Sequence, residues 1–500
     1  MLCRPLLDLM TEHFDTVIIG AGLSGIGAAC HHRRDCPNRS FAVFEARARM
    51  GGTWDLFRYP GIRSDSDMFT LGYDFKPWTQ GKVIADGPAI LNYIKETATE
   101  HGIDEHIRYD RKVVAMDWNS SEGHWLLSLE NSAGESFEVT ANFILSASGY
   151  YRYDKGHLPH FDGRDNFRGE IIHPQFWPEN YDVSGKRIVV IGSGATAVTL
   201  VPSLAKTAAH VTMLQRSPTW IANLPDTDWI ANLMRKILPA KLAYRLTRAK
   251  NIAYRRYIYK KSRAKPKEVG KYLKKRIRKE LGEDYDVETH FSPRYAPWDQ
   301  RLCLVPNSDL FKSIKAGKAS VVTDHVERFT QSGVLMKSGE TVEADLIVTA
   351  TGLELVLAGQ AKVLIDGREQ NLAESFGYYG LMLSGIPNMV SIFGYTNASW
   401  TLRADLISRF GCRLMNHMDA NGLDVVTPHA PEGMTARPWI DFDAGYFKRV
   451  ADVLPKQGDR DPWQNRQDYK FDKRVLGKAA VENEELVFSS LSSLPRGANS

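Results

Sequence analysis

Two stretches of this chain share one local pattern, and together they restrict the fold more than any other feature. The first is FDTVIIGAGLSGIGAACHHR and the second KRIVVIGSGATAVTLVPSLA. Each opens on an apolar run of the kind a strand buried on both faces needs. Each then turns through glycines into helix-compatible sequence. Gly20, Gly22 and Gly25 spell GxGxxG; Gly192, Gly194 and Ala197 spell GxGxxA. In such a turn the first glycine allows the tight bend, the second lets backbone approach a pyrophosphate, and the third lets the helix pack close to the strand. The helix N-terminus then offers free N–H groups and a positive dipole end to phosphate. The chain therefore reads as α/β with two Rossmann-like dinucleotide-binding folds.

The strand after each loop separates the two. After the first, the strand SFAVFEAR ends at Glu45, 25 residues beyond Gly20, and an acid there accepts hydrogen bonds from a ribose diol. After the second, HVTMLQRSPTW ends with Arg216 and Ser217. A cation at that place grips a 2′-phosphate that an acid would repel, so the second fold is expected to prefer NADP(H) to NAD(H). The bland alternative for Arg216 is a solvated surface charge. Two further strand-then-glycine stretches, NFILSASGYY and DLIVTATGLE, bring the chain to Gly149 and Gly352. They read as crossings between domains, so the second fold is inserted in the first. The expected division is 10–155 for the first part of an FAD domain, 156–225 and 297–352 for an NADP domain, 226–296 for a helical insert, and 353–500 for the rest of the FAD domain and the C-terminal region. Residues 1–9 read as a disordered extension or a mis-assigned start.

Composition narrows the class. At 43% hydrophobic and 25% charged, the chain resembles soluble globular proteins. No run approaches the roughly 18 apolar residues of a membrane-spanning helix, and the N-terminus lacks a signal peptide's apolar segment and cleavage site. Five scattered cysteines without a CxxC pair fit free thiols in a reducing cytoplasm rather than a disulfide framework or a metal site. The total charge of +5 conceals an asymmetry: from Arg235 to Lys279 there are nineteen Lys and Arg against one acid, Glu268. Tyr244, Ile252, Tyr254, Ile258 and Tyr259 recur there at roughly helical spacing. Three readings remain open for this basic insert: a solvated helical face, peripheral attachment to an anionic membrane, or nucleic-acid binding, which lacks any accompanying recognition motif.

Three further signatures stand outside the glycine loops. FRGEIIHPQFWPE supplies Phe167, Gly169, His173, Trp177 and Pro178. GGTWDLFRYPGIRSD supplies Gly51, Gly52, Trp54, Tyr59, Pro60, Gly61 and Asp65. PWDQRLCLVPN supplies Arg301. With these the chain resembles the Baeyer–Villiger monooxygenases among the class B flavoprotein monooxygenases; nitrogen- and sulfur-oxidising relatives usually end the first pattern in Tyr or Phe instead of Trp. The similarity runs from about residue 10 to about 480 and is strongest to a mycobacterial branch of the family. One departure is Gln300, where cyclic-ketone enzymes commonly carry a Lys that helps hold NADP; NADP preference would then rest mostly on Arg216.

The resemblance implies an FAD-containing enzyme that uses NADPH and O2 to convert ketones to esters or lactones through a flavin peroxide, and that oxidises sulfides as well. It implies Arg301 and Asp65 as catalytic residues. A permanent guanidinium suits a developing oxyanion, and a carboxylate beside it tunes its field. The competing roles are a structural salt bridge for Arg301 and a turn cap for Asp65. Around FAD it implies Gly20, Gly22, Ser24, Glu45, Gly52, Thr53, Trp54, Asp55, Leu56, Asp65 and Val113. Around NADP it implies Arg63, Ser64, Gly192, Ser193, Gly194, Ala195, Thr196, Ala197, Val198, Arg216 and Ser217. Trp400 is expected to open a helix near the flavin, or else to be an ordinary core residue.

His173 is neither a metal ligand, having no partner at ligand spacing, nor a catalyst. It is expected to brace the linker between the domains together with Trp177, one helical turn on if the segment is helical. Competing functions are a nitrogen or sulfur oxygenase on the same scaffold and a non-catalytic flavin-binding adaptor. A flavin disulfide reductase is disfavoured, because it needs a redox-active cysteine pair.

Overall fold

The structure, a computed structural model, describes residues 11–300, 302–442 and 445–493. The expected extension at 1–9 and the expected catalytic Arg301 lie outside the described residues.

Strand β1 (Glu12–Ile19) runs into helix α1 (Leu23–Asp35) and then β2 (Phe41–Phe44). β1 lies between β2 and the strand Ser136–Ser146, parallel to both. Its apolar residues divide by parity, as strand geometry requires: Ile18 packs with α1 on one face, and Val17 and Ile19 pack on the other. The sheet is completed from far along the chain. Lys362–Ile365 pairs with Lys112–Asn119, and Met389–Ser391 pairs with Ser136–Ser146.

The second sheet repeats the pattern. β3 (Arg187–Ile191) leads into α2 (Ala195–Leu204) and β4 (His210–Gln215). β3 is flanked in parallel by β4 and by Leu346–Thr349, with Ala319–Thr323 and Glu170–Ile172 at the edges. Ile188 and Val190 face α2 while Val189 and Ile191 face away. The chain thus enters the first sheet, builds the second, and returns to the first. An antiparallel ribbon of Tyr151–Gly156 with Leu353–Leu355 joins the outgoing and returning segments.

The insert is helical: α3 (Trp229–Ile237), α4 (Ala240–Ala264) and α5 (Pro266–Leu281). It is not uniformly solvated. Tyr244 is buried and donates to Tyr73 O at 2.8 Å. Arg248 is buried and donates to Phe69 O and Gly72 O, both at 2.7 Å. Lys250, Arg255 and Arg256 pair with Asp228, Asp67 and Asp468. α4 therefore directs Tyr244, Arg248, Arg255 and Arg256 inward onto the first fold, an arrangement that none of the three open readings of the insert described. Among the described residues no helix is long and apolar enough to cross a membrane.

Candidate active site

The first glycine loop lies at the floor of a cavity of about 410 Å³. Gly20 has φ +97°, and a Cβ there would stand 2.8 Å from Ala147 O. Several helices of this chain start on an aspartate that accepts from their first turn, such as Asp86, Asp228 and Asp468. α1 starts instead on Gly22 with no side-chain cap, so its first N–H groups face the cavity unclaimed by a side chain. Glu45 lines the same cavity and is held from behind: its carboxylate accepts Ala21 N–H at 2.8 Å and Arg47 N–H at 3.0 Å. Burial raises its pKa, and those two hydrogen bonds only partly offset this.

Thr53, Trp54, Asp65 and Val113, expected around FAD, also line this cavity, and so does Ser64, which was expected around NADP. Ser24 accepts from the Trp400 indole N–H at 2.7 Å. Trp400 directly precedes the helix α6 (Thr401–Asn421) and stacks on Tyr150 at 5.0 Å. It lines the same cavity. Asp55 and Leu56, also expected around FAD, are not among the residues lining this cavity. Asp55 is buried beneath Arg47, Arg49 and Arg58. The four-residue helix Thr53–Leu56 turns its first two side chains to the cavity and the next two away.

The second loop borders a cavity of about 210 Å³ lined by Tyr59, Arg63, Ser64, His173, Ala195 and Thr196, among others. Gly192 has φ +136°, and a Cβ there would meet Ala350 O at 2.4 Å. Gly194 caps α2 without a side-chain bond, and a Cβ on it would meet nothing within 4 Å. Ser193 Oγ donates to Ser217 O at 2.9 Å, tying the loop to the end of β4, where Arg216 and Ser217 are located. Ala197 and Val198 are packed into the core of the second fold, so they support the loop and do not face the cavity. Arg63 pairs with Asp309.

His173 caps a single 3-10 turn, Pro174–Phe176, not an α-helix. Its Nδ1 accepts Gln175 N–H at 3.2 Å, and Nε2 lies 3.2 Å from Gly352 O on the returning linker. Both ring nitrogens are used by the neutral form, and burial lowers the pKa. Trp177 does not pack on His173. It sits in the second core, edge-on to Tyr181. The segment is not α-helical, so the expected one-turn pairing of His173 with Trp177 does not form; His173 meets the returning linker, and Gln175 of the same turn donates to Arg152 O and Tyr153 O of the outgoing one.

A third cavity, about 1000 Å³, lies between the insert and the first fold. Val83, Ile84, Trp229, Tyr254, Leu273 and Trp298 give it apolar walls, shared with charged side chains such as Asp67, Lys250, Arg255 and Glu268. Asp65 lines all three cavities.

A family model described as flavin-binding monooxygenase-like matches residues 83–366, and one for an NAD(P)-binding Rossmann-like domain matches residues 18–77. The chain is 54% identical over 482 residues to the FAD-containing monooxygenase EthA of Mycolicibacterium smegmatis, covering 96% of this chain and 98% of that one. This chain belongs to the flavin-binding monooxygenases. It is also 47% identical to the probable FAD-binding monooxygenase AlmA of Acinetobacter baylyi, over 96% of this chain and 97% of that one. Among solved structures, an oxidised steroid monooxygenase bound to NADP superposes with TM-score 0.77 over 96% of this chain and all of the other, at 21% identity. OTEMO in complex with FAD and NADP superposes with TM-score 0.70 over 84% and 88%, at 22% identity. These share the fold of two dinucleotide domains.

The first cavity has further walls that the sequence motifs do not mark. Tyr150, Tyr151, Tyr153, Arg47 and Gln360 also line the first cavity. The clustered tyrosines of SGYYRYDKG were the available signal. Burial pushes the Tyr153 hydroxyl up to about 12, which keeps it a neutral wall residue.

Proposed function

We propose that this flavin monooxygenase holds FAD in the first fold, takes NADPH in the second, and uses O2 to convert large apolar ketones to esters or lactones, with sulfides as secondary substrates. The observation that carries the reading is the position of Asp65, which lines the cavity beside each glycine loop and the large cavity against the insert. When bound, the flavin supplies reducing equivalents taken from NADPH and one oxygen atom of O2.

The residues fit that cofactor. The uncapped start of α1 would hold its pyrophosphate, and Gly22 and Gly52 approach so closely that a Cβ on Gly22 would lie 3.4 Å from Gly52 Cα. Glu45 would accept from the ribose diol, and Trp400 and Tyr150 would wall the far end. In the second fold, the uncapped α2 would hold the NADP pyrophosphate, and Arg216 and Ser217 the 2′-phosphate. Arg301 would hold a fixed positive charge against the carbonyl oxygen as it gains negative charge, with Asp65 setting its orientation. His173 would keep the linker registered on the second fold without delivering a proton, because it is held neutral.

The test is product analysis by mass spectrometry across linear, cyclic and aromatic ketones and one sulfide. Wild type is expected to form ester, and Arg301→Ala to keep its flavin while losing ester formation by two or more orders of magnitude. Sulfoxide with no ester from any ketone would turn the assignment to heteroatom oxidation, and full activity in Arg301→Ala would end the role given to that residue.

The same reading includes peripheral attachment to anionic membranes, and one observation favours it. Trp229, Leu233 and Ile237, four residues apart along α3, are 73%, 50% and 69% exposed. Leu242 and Leu246 extend the ridge onto α4, beside the exposed Lys236, Lys241 and Arg245. An apolar ridge flanked by cations suits the boundary of an anionic bilayer. The protein is expected to sediment with vesicles containing phosphatidylglycerol at moderate salt; recovery in the supernatant would sink this part.

A further inference from the structure

The segment that carries Asp65 is held by a side chain that the reaction itself does not require. Two residues on, Asp67 is buried at the mouth of the large cavity. Its carboxylate starts the short helix Met68–Leu71, accepting Thr70 N–H at 3.1 Å and the Thr70 hydroxyl at 2.9 Å. Two further donors come from the insert: Asn251 Nδ2 at 2.9 Å and Arg255 Nε at 2.8 Å, both on α4. One carboxylate thus closes both a local cap and a contact spanning 188 residues of sequence. Burial alone would raise its pKa, but Arg255, Asn251 and Thr70 outweigh this and lower it, so Asp67 is an anion in this setting.

The grip has a second point. Arg248, two turns earlier on α4, donates to the carbonyls of Phe69 and Gly72 at the other end of the same short helix. Thr70 also meets the Ser399 hydroxyl at 2.6 Å, next to Trp400, which bonds Ser24 of the first glycine loop. On the other side of Asp65, Ser64 N–H donates to Ala85 O and the Ser64 hydroxyl to Ser66 O. Asp65 therefore stands between a turn anchored on the first fold and a helix start anchored on the insert. The surface of α4 that supplies Asn251 and Arg255 also lines the large cavity through Tyr254 and Ile258.

We propose that Asp67, through Arg255 and Asn251, is a positioning residue that fixes Asp65 against helix α4, and so makes oxygen transfer depend on the helix that contacts the substrate. The inference rests on the monooxygenase reading above. With Asp65 in place, NADPH, H⁺, O2 and ketone give NADP⁺, water and ester. With Asp65 displaced, the same NADPH, H⁺ and O2 give NADP⁺ and H2O2, and the ketone is left unchanged. Asp67 acts on the partition between these outcomes and not on hydride transfer from NADPH.

The experiment measures ester (or sulfoxide) and H2O2 formed per NADPH consumed by the FAD-loaded full chain. Asp67→Asn keeps an acceptor for Thr70 but removes the charge. Arg255→Met removes the partner, and Arg255→Lys retains a cation. Asp67→Asn and Arg255→Met are each expected to lower product per NADPH at least fivefold, with H2O2 rising to match. Flavin content, melting temperature and the rate of flavin reduction by NADPH should stay near wild type. Arg255→Lys should recover most of the coupling, and the double variant Asp67→Asn/Arg255→Met should be no worse than either single one, as expected for groups acting as a pair.

Wild-type partition in both single variants would overturn the proposal. So would a fall in coupling only in step with lost flavin and lowered melting temperature, since that marks a structural cap. If Asp67→Asn does not fold, Asn251→Ala and Arg255→Met decide alone. A wild-type protein that oxidises no NADPH would instead overturn the functional reading, and this inference with it.

Discussion

The two glycine loops obey one sequence pattern and are built to different tolerances. In the first, a Cβ on Gly25 would lie 1.7 Å from Gly20 O, so α1 rests directly on the turn. In the second, the matching residue is Ala197, fully buried with its Cβ already accommodated, so α2 stands further off. The discriminating residues differ in the same sense. Glu45 is buried and fixed by two backbone N–H groups, whereas Arg216 is exposed at the end of its strand. The cavities differ likewise, at about 410 Å³ against about 210 Å³. A tight, walled loop suits a nucleotide that stays bound, and a looser loop with an exposed cation suits one that must leave on each turnover.

The strongest way to break that comparison is to place the same methyl group in both loops. Gly25→Ala forces α1 off the turn, and overpacking of this kind costs roughly 3 kcal/mol. The variant is expected to be isolated with little flavin and a clearly lowered melting temperature. Gly194→Ala adds its Cβ in open space, at an ordinary φ of −78°. It should keep full flavin and change stability by no more than about 0.5 kcal/mol. Flavin-to-protein absorbance ratios and thermal melts read both. Equal flavin loss in the two variants would mean that the loops do not serve separate nucleotides.

The parts of this asymmetry that were legible in the sequence are the ones fixed locally. A glycine at positive φ beside a carbonyl, as at Gly20 and Gly192, admits little else, so the pattern declares itself. An acid or a cation at the end of the second strand is set by strand length alone. What stayed hidden depends on contacts far apart in sequence. Tyr151 and Tyr153 enter the first cavity because their ribbon pairs with Leu353–Leu355, some 200 residues on. The helix Thr53–Leu56 likewise presents Thr53 and Trp54 to the cavity and not Asp55 and Leu56, which the residue order by itself does not reveal.

The insert shows the same limit. Its charge was plain, yet nothing local distinguishes Arg248 and Arg255, which reach into the first fold, from Lys236 and Arg245, which face solvent. The spacing of Trp229, Leu233 and Ile237 is a regular helical signal that ordinarily marks a buried face; here that face is exposed.

A smaller effect sharpens the comparison at the second loop. Arg216 is exposed, so its removal should not alter the fold or the flavin. If it holds a 2′-phosphate, it does so by charge-assisted hydrogen bonds of about 1.5–3 kcal/mol, equivalent to roughly a 10- to 150-fold change in binding. Gln300 carries no charge, so on the proposed reading that discrimination would rest on Arg216. Arg216→Ala is therefore expected to raise KM for NADPH by one to two orders of magnitude while leaving KM for NADH, flavin content and melting temperature near wild type. Because the contact is solvent-exposed, the gap between the two coenzymes in wild type should also narrow as salt is raised through the range where the Debye length falls below about 8 Å. Equal losses with NADPH and NADH would show that Arg216 serves the loop as a whole, and the second fold would then owe its coenzyme choice to residues nearer the linker, such as Arg63.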